Sequence, residues 1–202
     1  MTGSRIPLTA LLGVAVTCGI LIAHDGGGAE GMQAAIRVSA RLAAILLALA
    51  LSASALHVFV PSPATLRLRR ERRYVGLAFG SVHLFHLALL VAQGVVHPEP
   101  FRSQLGAAQL IGGGIAYLFV VAMMLTSTEA AMRRMGRAWS RLHTIGGWYL
   151  LLLFTRSYLL RVLDGKTAYV PLLALMAGVV LLRIAAALRR RAVARVSGSP
   201  VQ

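Results

Sequence analysis

A single cysteine, Cys18, leaves no disulfide within the chain, no CxxC redox pair and no cysteine cage for a metal. Set in an apolar run, it reads as a small packing residue. Acidic side chains are scarce as well, six Asp and Glu against 21 Lys and Arg. None lies deep in an apolar run, which leaves proton pumping without its usual carboxylates. No GxGxxG follows a predicted strand, and the chain leaves no room for a soluble nicotinamide domain. What is abundant is apolar: 57% of residues are hydrophobic and 13% charged, the balance of an integral membrane protein. The formal charge of +15 would suit nucleic acid, but the arginines flank apolar segments instead of forming one basic face. The expected partner is the lipid bilayer, not nucleic acid.

A hydrocarbon core roughly 30 Å thick takes about 20 helical residues. Six runs meet that length, about 6–23, 34–60, 74–96, 104–126, 142–163 and 168–188, followed by a basic tail at 189–202. The expected fold is all-α, a single-domain polytopic bundle of six transmembrane helices. The first run has the look of either a signal peptide or a retained anchor, and the even helix count favours the anchor. Arg37 and Arg41 near the start of the second run are placed to reach the interface. The loop between helices two and three holds Arg67, Arg69, Arg70, Arg72 and Arg73. The next cluster is Arg133, Arg134, Arg137 and Arg141, and the tail adds Arg189, Arg190, Arg191 and Arg195. All three clusters fall on one side of a six-helix path, so the positive-inside rule puts both termini in the cytoplasm. The opposite loops hold Asp25, Glu30, Glu99 and Asp164 against Arg102 and Lys166. Trp139, Trp148, Tyr149 and Tyr158 read as interfacial or lipid-facing aromatics.

Of six histidines, His24 and His97 lie near the exterior loops and read as solvated. His57 and His143 sit shallow at the cytoplasmic end of their helices, while His83 lies roughly 12 to 14 Å in and His86 roughly 16 to 18 Å in at 1.5 Å per residue. An imidazole in hydrocarbon needs a partner. The plain partner is a backbone carbonyl or hydroxyl. Zinc stays open, although no Asp or Glu stands beside His83 or His86. Haem suits the pattern better, since facing histidines hold iron and Gly76, Gly80 and Gly112–Gly114 either make room for a flat ligand or let helices approach closely.

Two stretches, RRYVGLAFGSVHLFH from Arg72 to His86 and WSRLHTIGGWYLLLLFTR from Trp139 to Arg156, carry a resemblance to a known family. The whole chain resembles the ferric reductase-like transmembrane domain family, particularly the haem-binding membrane subunits of periplasmic protein-methionine-sulfoxide reductase systems. The resemblance implies a multi-pass protein of the bacterial inner (plasma) membrane that holds haem b, with His86 and His143 at ligand positions. Thirteen residues after His143 the family has a second histidine, and this chain has Arg156. Arginine offers iron no lone pair. The pairs His86 with His143 and His83 with His143 therefore stay open, with axial offsets of roughly 12 Å and 8 Å. So do His86 alone and loss of the cofactor. His57 is a further candidate ligand, and Arg156 either snorkels to the boundary or pairs with a haem propionate.

The function these features imply is electron transfer by a haem b subunit, as part of an oxidoreductase and not a complete enzyme. The resemblance implies a periplasmic reductase as acceptor, and a quinol, a flavin such as FMN or a separate cytoplasmic protein as donor. A small transporter or channel lined by His83, His86 and Arg156, and a non-catalytic assembly subunit, are the competing classes.

Overall fold

The computed structural model describes residues 3–99 and 106–196, with the backbone alone for Ala108 and Val196. Arg102, the first residues of the expected fourth run (104–105) and the end of the basic tail (197–202) lie outside the described residues.

The described residues form seven α-helices and no strand: α1 (Ile6–His24), α2 (Ala29–Phe59), α3 (Pro63–Val96), α4 (Ala107–Leu125), α5 (Glu129–Met135), α6 (Arg137–Leu163) and α7 (Val170–Val196). Short 3-10 turns, Gly3–Arg5 and Thr167–Tyr169, precede α1 and α7.

The helices run past the apolar segments that mark them. Residues 63–73, expected as an arginine-rich loop, are the first turns of α3. The cause is local: Pro63 occupies the first turn, where its missing N–H costs nothing, and Ser62 and Thr65 form a reciprocal capping box. Arg and Leu, good helix formers, fill the next turns. Likewise the expected loop before residue 142 is helical, because Thr128 caps α5 by accepting from the Ala131 amide and α6 begins at Arg137. Gly136 joins α5 to α6 with φ 51° and ψ −117°, a conformation open to glycine.

Among the described residues four helices are long and apolar enough to cross a membrane, α1, α2, α3 and α7, and a fifth span results if α4 and α5, bent by 103°, are taken together. Helix α6 is less apolar because it carries His143, Trp148, Tyr149 and Arg156. Leu8, Leu12, Val16 and Ile20 repeat every four residues on the exposed face of α1, as a lipid-facing stripe requires. Val14 and Cys18 are buried on its other face.

Helix α2 is the centre, packed against α1, α3 and α7. The core joins its Leu47 to Phe79 and Val82 of α3, Val120 of α4, Leu150 and Leu151 of α6 and Met176 of α7. The arginine clusters meet at one end of this bundle. Arg72 donates to Ser54 Oγ at 2.7 Å, Arg73 lies 3.9 Å from Glu129, and Arg189 donates to the Val58 carbonyl at 2.8 Å. At the other end a ring nitrogen of His97, expected to be solvated, donates to the Gly27 carbonyl at 3.2 Å, tying the end of α3 to the α1–α2 turn.

Candidate functional site

At the basic end the helices part around a cavity of about 640 Å³, within the range of roughly 300–1,000 Å³ that small-molecule sites occupy. Its inner wall is apolar: Leu47 and Leu51 of α2, Phe79 of α3, Val120, Met123 and Met124 of α4. Its mouth carries Arg72, Arg73, Arg183 and Arg190, with Glu129 as the acid among the lining residues. Glu129 answers Arg73 at 3.9 Å and Arg133 at 3.6 Å. Arg183 is braced, with its charge 4.8 Å from the Trp148 ring centre and a hydrogen bond to the Leu51 carbonyl at 3.3 Å.

The glycines divide the two roles expected of them. Gly76 lines the cavity, and a Cβ built there would meet nothing within 4 Å. Gly80, one turn on, is a close approach instead, since a Cβ there would overlap the Met124 side chain. Gly147 on α6 is another, with Leu51 3.2 Å from a Cβ position. Gly112 accepts through its carbonyl from the Tyr149 hydroxyl at 2.9 Å.

His143 stands in the cavity wall on α6. Its ring stacks on Trp139 at 4.2 Å, and its Nδ1 lies 3.1 Å from the Trp139 carbonyl oxygen. A carbonyl only accepts, so Nδ1 carries the proton and Nε2 the lone pair. That Nε2 is buried without a hydrogen-bond partner among the described residues. A ring nitrogen oriented in this way by a backbone carbonyl is how proteins present histidine to a metal. The Trp139 indole donates to the Thr126 carbonyl at 2.9 Å, so the start of α6 is pinned to the end of α4.

His83 and His86 belong to a different group, and neither lines the cavity. His83 is buried among rings, stacked on Tyr117 at 4.8 Å, Phe79 at 5.3 Å and His86 at 5.6 Å, with Phe154 at 5.4 Å. Its Nδ1 has no hydrogen-bond partner among the described residues. His86 Nδ1 lies 2.9 Å from Ser39 Oγ, whose own hydrogen goes to the Ile36 carbonyl at 3.0 Å. Ser39 therefore accepts from His86, and the His86 lone pair is on Nε2. Both family-matched histidines thus keep the lone pair on Nε2, but only His143 lines the cavity.

His57 is outside the lining too. Its Nδ1 meets Thr65 Oγ1 at 3.0 Å across the α2–α3 corner. Arg156 lies on the exposed side of α6, away from the buried stripe of Gly147, Leu150, Leu151, Phe154 and Tyr158. Replacing it by Gln is expected to leave cofactor content unchanged; a drop in bound cofactor per chain would return Arg156 to the site. Among the described residues no group of three or more His, Cys, Asp and Glu is placed to hold a metal ion, so the zinc reading finds no ligand set.

Sequence reasoning missed two features. Arg41 and Arg161 both approach the Tyr169 ring, at 5.2 and 4.9 Å, and Arg161 donates to its hydroxyl at 3.2 Å. Their only sequence signal is the shortage of acids to pair with. The other is the methionine pair on α4, which periodicity reads simply as core.

The chain is 30% identical over 178 residues, 86% of its own length and 84% of theirs, to Bordetella pertussis and Bordetella parapertussis proteins named protein-methionine-sulfoxide reductase heme-binding subunit MsrQ. It is 30% identical over 125 residues, 61% of this chain and 62% of the relative, to a Salmonella paratyphi B protein of the same name. No family model and no solved structure matches the chain.

Proposed function

Because the chain belongs to the MsrQ family of protein-methionine-sulfoxide reductase heme-binding subunits, we propose that it is a haem b electron-transfer subunit of a bacterial inner membrane, with the haem in the basic-end cavity on His143. The observation that carries this reading is the buried Nε2 of His143, without a hydrogen-bond partner among the described residues and with its tautomer set by the Trp139 carbonyl, on a side chain that lines a cavity of ligand size.

The rest of the wall fits the same group. Gly76 leaves a flat space beside α3, and Phe79, Val120 and Leu47 keep it apolar. Arg72, Arg73, Arg183 and Arg190 stand where propionates would emerge, and guanidinium–carboxylate pairs are among the stronger hydrogen bonds. When bound, haem supplies one-electron ferric/ferrous chemistry. The residues of the chain would hold that iron through His143 and give it an apolar wall of Leu47, Phe79 and Val120.

The proposed topology has six spans, α4 with α5 and α6 included, and both termini in the cytoplasm; the gathering of the arginine clusters at one end supports it. The cavity then opens to the cytoplasm, on the side of the donor, a quinol, a flavin such as FMN or a separate reductase. The acceptor is a periplasmic reductase subunit. The competing transporter needs His83, His86 and Arg156 on one polar path, whereas His83 is enclosed by rings and Arg156 is exposed on the outer side of α6.

The test is expression with ample haem supply, purification in mild detergent, a reduced-minus-oxidised spectrum and pyridine haemochrome quantification. A b-type spectrum with stoichiometric, reversibly reducible haem is expected. A purified, folded chain without haem would overturn the proposal.

A further inference from the structure

At the cavity end the arginines have oxygens of their own: Arg72 has Ser54 Oγ, Arg73 has Glu129, Arg183 the Leu51 carbonyl and Arg189 the Val58 carbonyl. At the far end of α6 and α7 two arginines share one. Arg161, in the last turn of α6, donates to the Tyr169 hydroxyl at 3.2 Å, and Arg41 of α2 approaches the same hydroxyl. Their charges stand 4.9 and 5.2 Å from the centre of the Tyr169 ring, so both cations converge on one phenol.

The phenol is fixed, and the cations are not balanced. Tyr169 is buried at the end of the Thr167–Tyr169 turn, with its amide on the Lys166 carbonyl at 3.1 Å and its ring stacked on buried Tyr158 at 5.9 Å. Among the described residues no Asp or Glu comes within ion-pair distance of Arg41 or Arg161. Asp164 is exposed on the turn after α6, and Asp25 is taken by the Gly31 amide at 2.7 Å. Arg41 is half-buried, and its Nε is buried without a hydrogen-bond partner among the described residues. Two like charges drawn to one neutral oxygen repel each other, and a ring face offsets only part of the desolvation of a cation. A hydroxyl has too few lone pairs for two guanidinium forks. An oxyanion has enough, and it carries the opposite charge.

The surroundings narrow the choice of oxyanion. Leu159, Leu160, Leu163 and Val170 are exposed beside the two residues along the chain, while Asp164 to Thr167 form an exposed polar turn. The pair therefore sits where apolar surface gives way to polar, the level at which tyrosines and basic side chains meet headgroup phosphates. A phosphate also has more oxygens than a carboxylate, enough to take both forks at once.

We infer that Arg41, Arg161 and Tyr169 form a phosphate-binding site at the end of the bundle opposite the cavity. Its ligand is a phosphate oxyanion, carried either by a lipid headgroup or by free inorganic phosphate. Binding uses charge and hydrogen bonds alone, and no bond is made or broken. The site joins α2 to the α6–α7 turn, so an occupied site holds these elements together, and it is independent of what fills the cavity.

The experiment compares the parent protein in neutral detergent with Arg41→Gln, Arg161→Gln and Arg37→Gln. Arg37 is exposed one turn before Arg41 on α2 and makes the same change of net charge. One arm adds sodium phosphate against chloride at equal ionic strength; the other adds phosphatidylglycerol against a glycolipid without phosphate. The readouts are the shift of the thermal midpoint with each addition and the adducts retained in native mass spectra. In the parent, a phosphate-bearing addition is expected to raise the midpoint and leave a retained adduct. Arg41→Gln and Arg161→Gln each weaken that binding by about tenfold or more, the loss that fits a charged hydrogen-bond partner, and Arg37→Gln leaves it at the parental level. A response to phosphatidylglycerol alone assigns the ligand to lipid, and a response to inorganic phosphate alone assigns it to the free ion. Responses of equal size in all four proteins, none in the parent, or a loss in Arg37→Gln as large as in Arg41→Gln would overturn the site. So would lower starting midpoints in the Arg41 and Arg161 variants with undiminished shifts, which would reduce the two arginines to packing on Tyr169. Should Arg41→Gln not accumulate, Arg161→Gln, whose side chain is exposed, decides alone.

Discussion

His143→Ala is expected to purify as a folded helical protein carrying roughly a tenth or less of the parent's haem, since even changing a residue that merely orients a ligand typically costs about 10–100-fold in metal affinity. The substitution removes the Nε2 lone pair and leaves Trp139 stacked on nothing, but it does not touch the buried stripe that packs α6, Leu150, Leu151 and Phe154. Circular dichroism and detergent gel filtration should therefore stay close to the parent while pyridine haemochrome falls. Free imidazole should restore part of the occupancy and the low-spin character by entering the vacated space, which no general folding defect would permit. Full occupancy with an unaltered spectrum in His143→Ala would remove this residue from the iron.

The second large effect is expected from Gly76→Phe, which fills the cavity without opening a hole in the core. The Gly76 Cβ position has no neighbour within 4 Å, so the phenyl ring extends into empty space between α3 and the mouth arginines. Haem content should fall severalfold, and thermal stability of the haem-free protein should hold or rise, because buried apolar surface gains partners and a void is removed. The neighbouring change Gly80→Ala behaves differently: it meets Met124 directly, and over-packing of that kind typically costs about 1–3 kcal/mol. Haem retained at the parental level in Gly76→Phe, measured per folded chain, would place the cofactor somewhere other than this cavity.

How much of this was legible beforehand depends on whether the signal was local. Apolar runs are local, and each of the six expected spans lies largely within one of the long helices. The Ser62–Thr65 capping box and Pro63 are local as well, but their message was covered by the arginines that follow, which read as a loop because they are charged. Charge speaks to solvent exposure, and an exposed helix satisfies it as well as a loop does. The histidines were legible only as a set. His83 and His86 differ by about 60° around α3, so either can face inward, and the choice is made by Tyr117 of α4, Phe154 of α6 and Ser39 of α2, all distant in the chain. The estimate of depth along a helix said nothing about which helices part to form a cavity. That follows from side chains such as Arg183 on Trp148 and Met124 on Gly80, pairings separated by 35 and 44 positions with no shared motif.

The short helix α5 has a consequence for how anything enters. It forms part of the cavity wall: seven residues long, bent 103° from α4, tied by the Thr128 cap and by the ion pairs of Glu129, and joined to α6 through Gly136. None of its residues is buried. Lifting it breaks few contacts and leaves the spanning helices in place, so the free energy of this local opening lies far below that of global unfolding. Insertion and exchange of a bulky ligand would then be governed by the opening equilibrium of about two helical turns, and the bundle itself can stay rigid throughout.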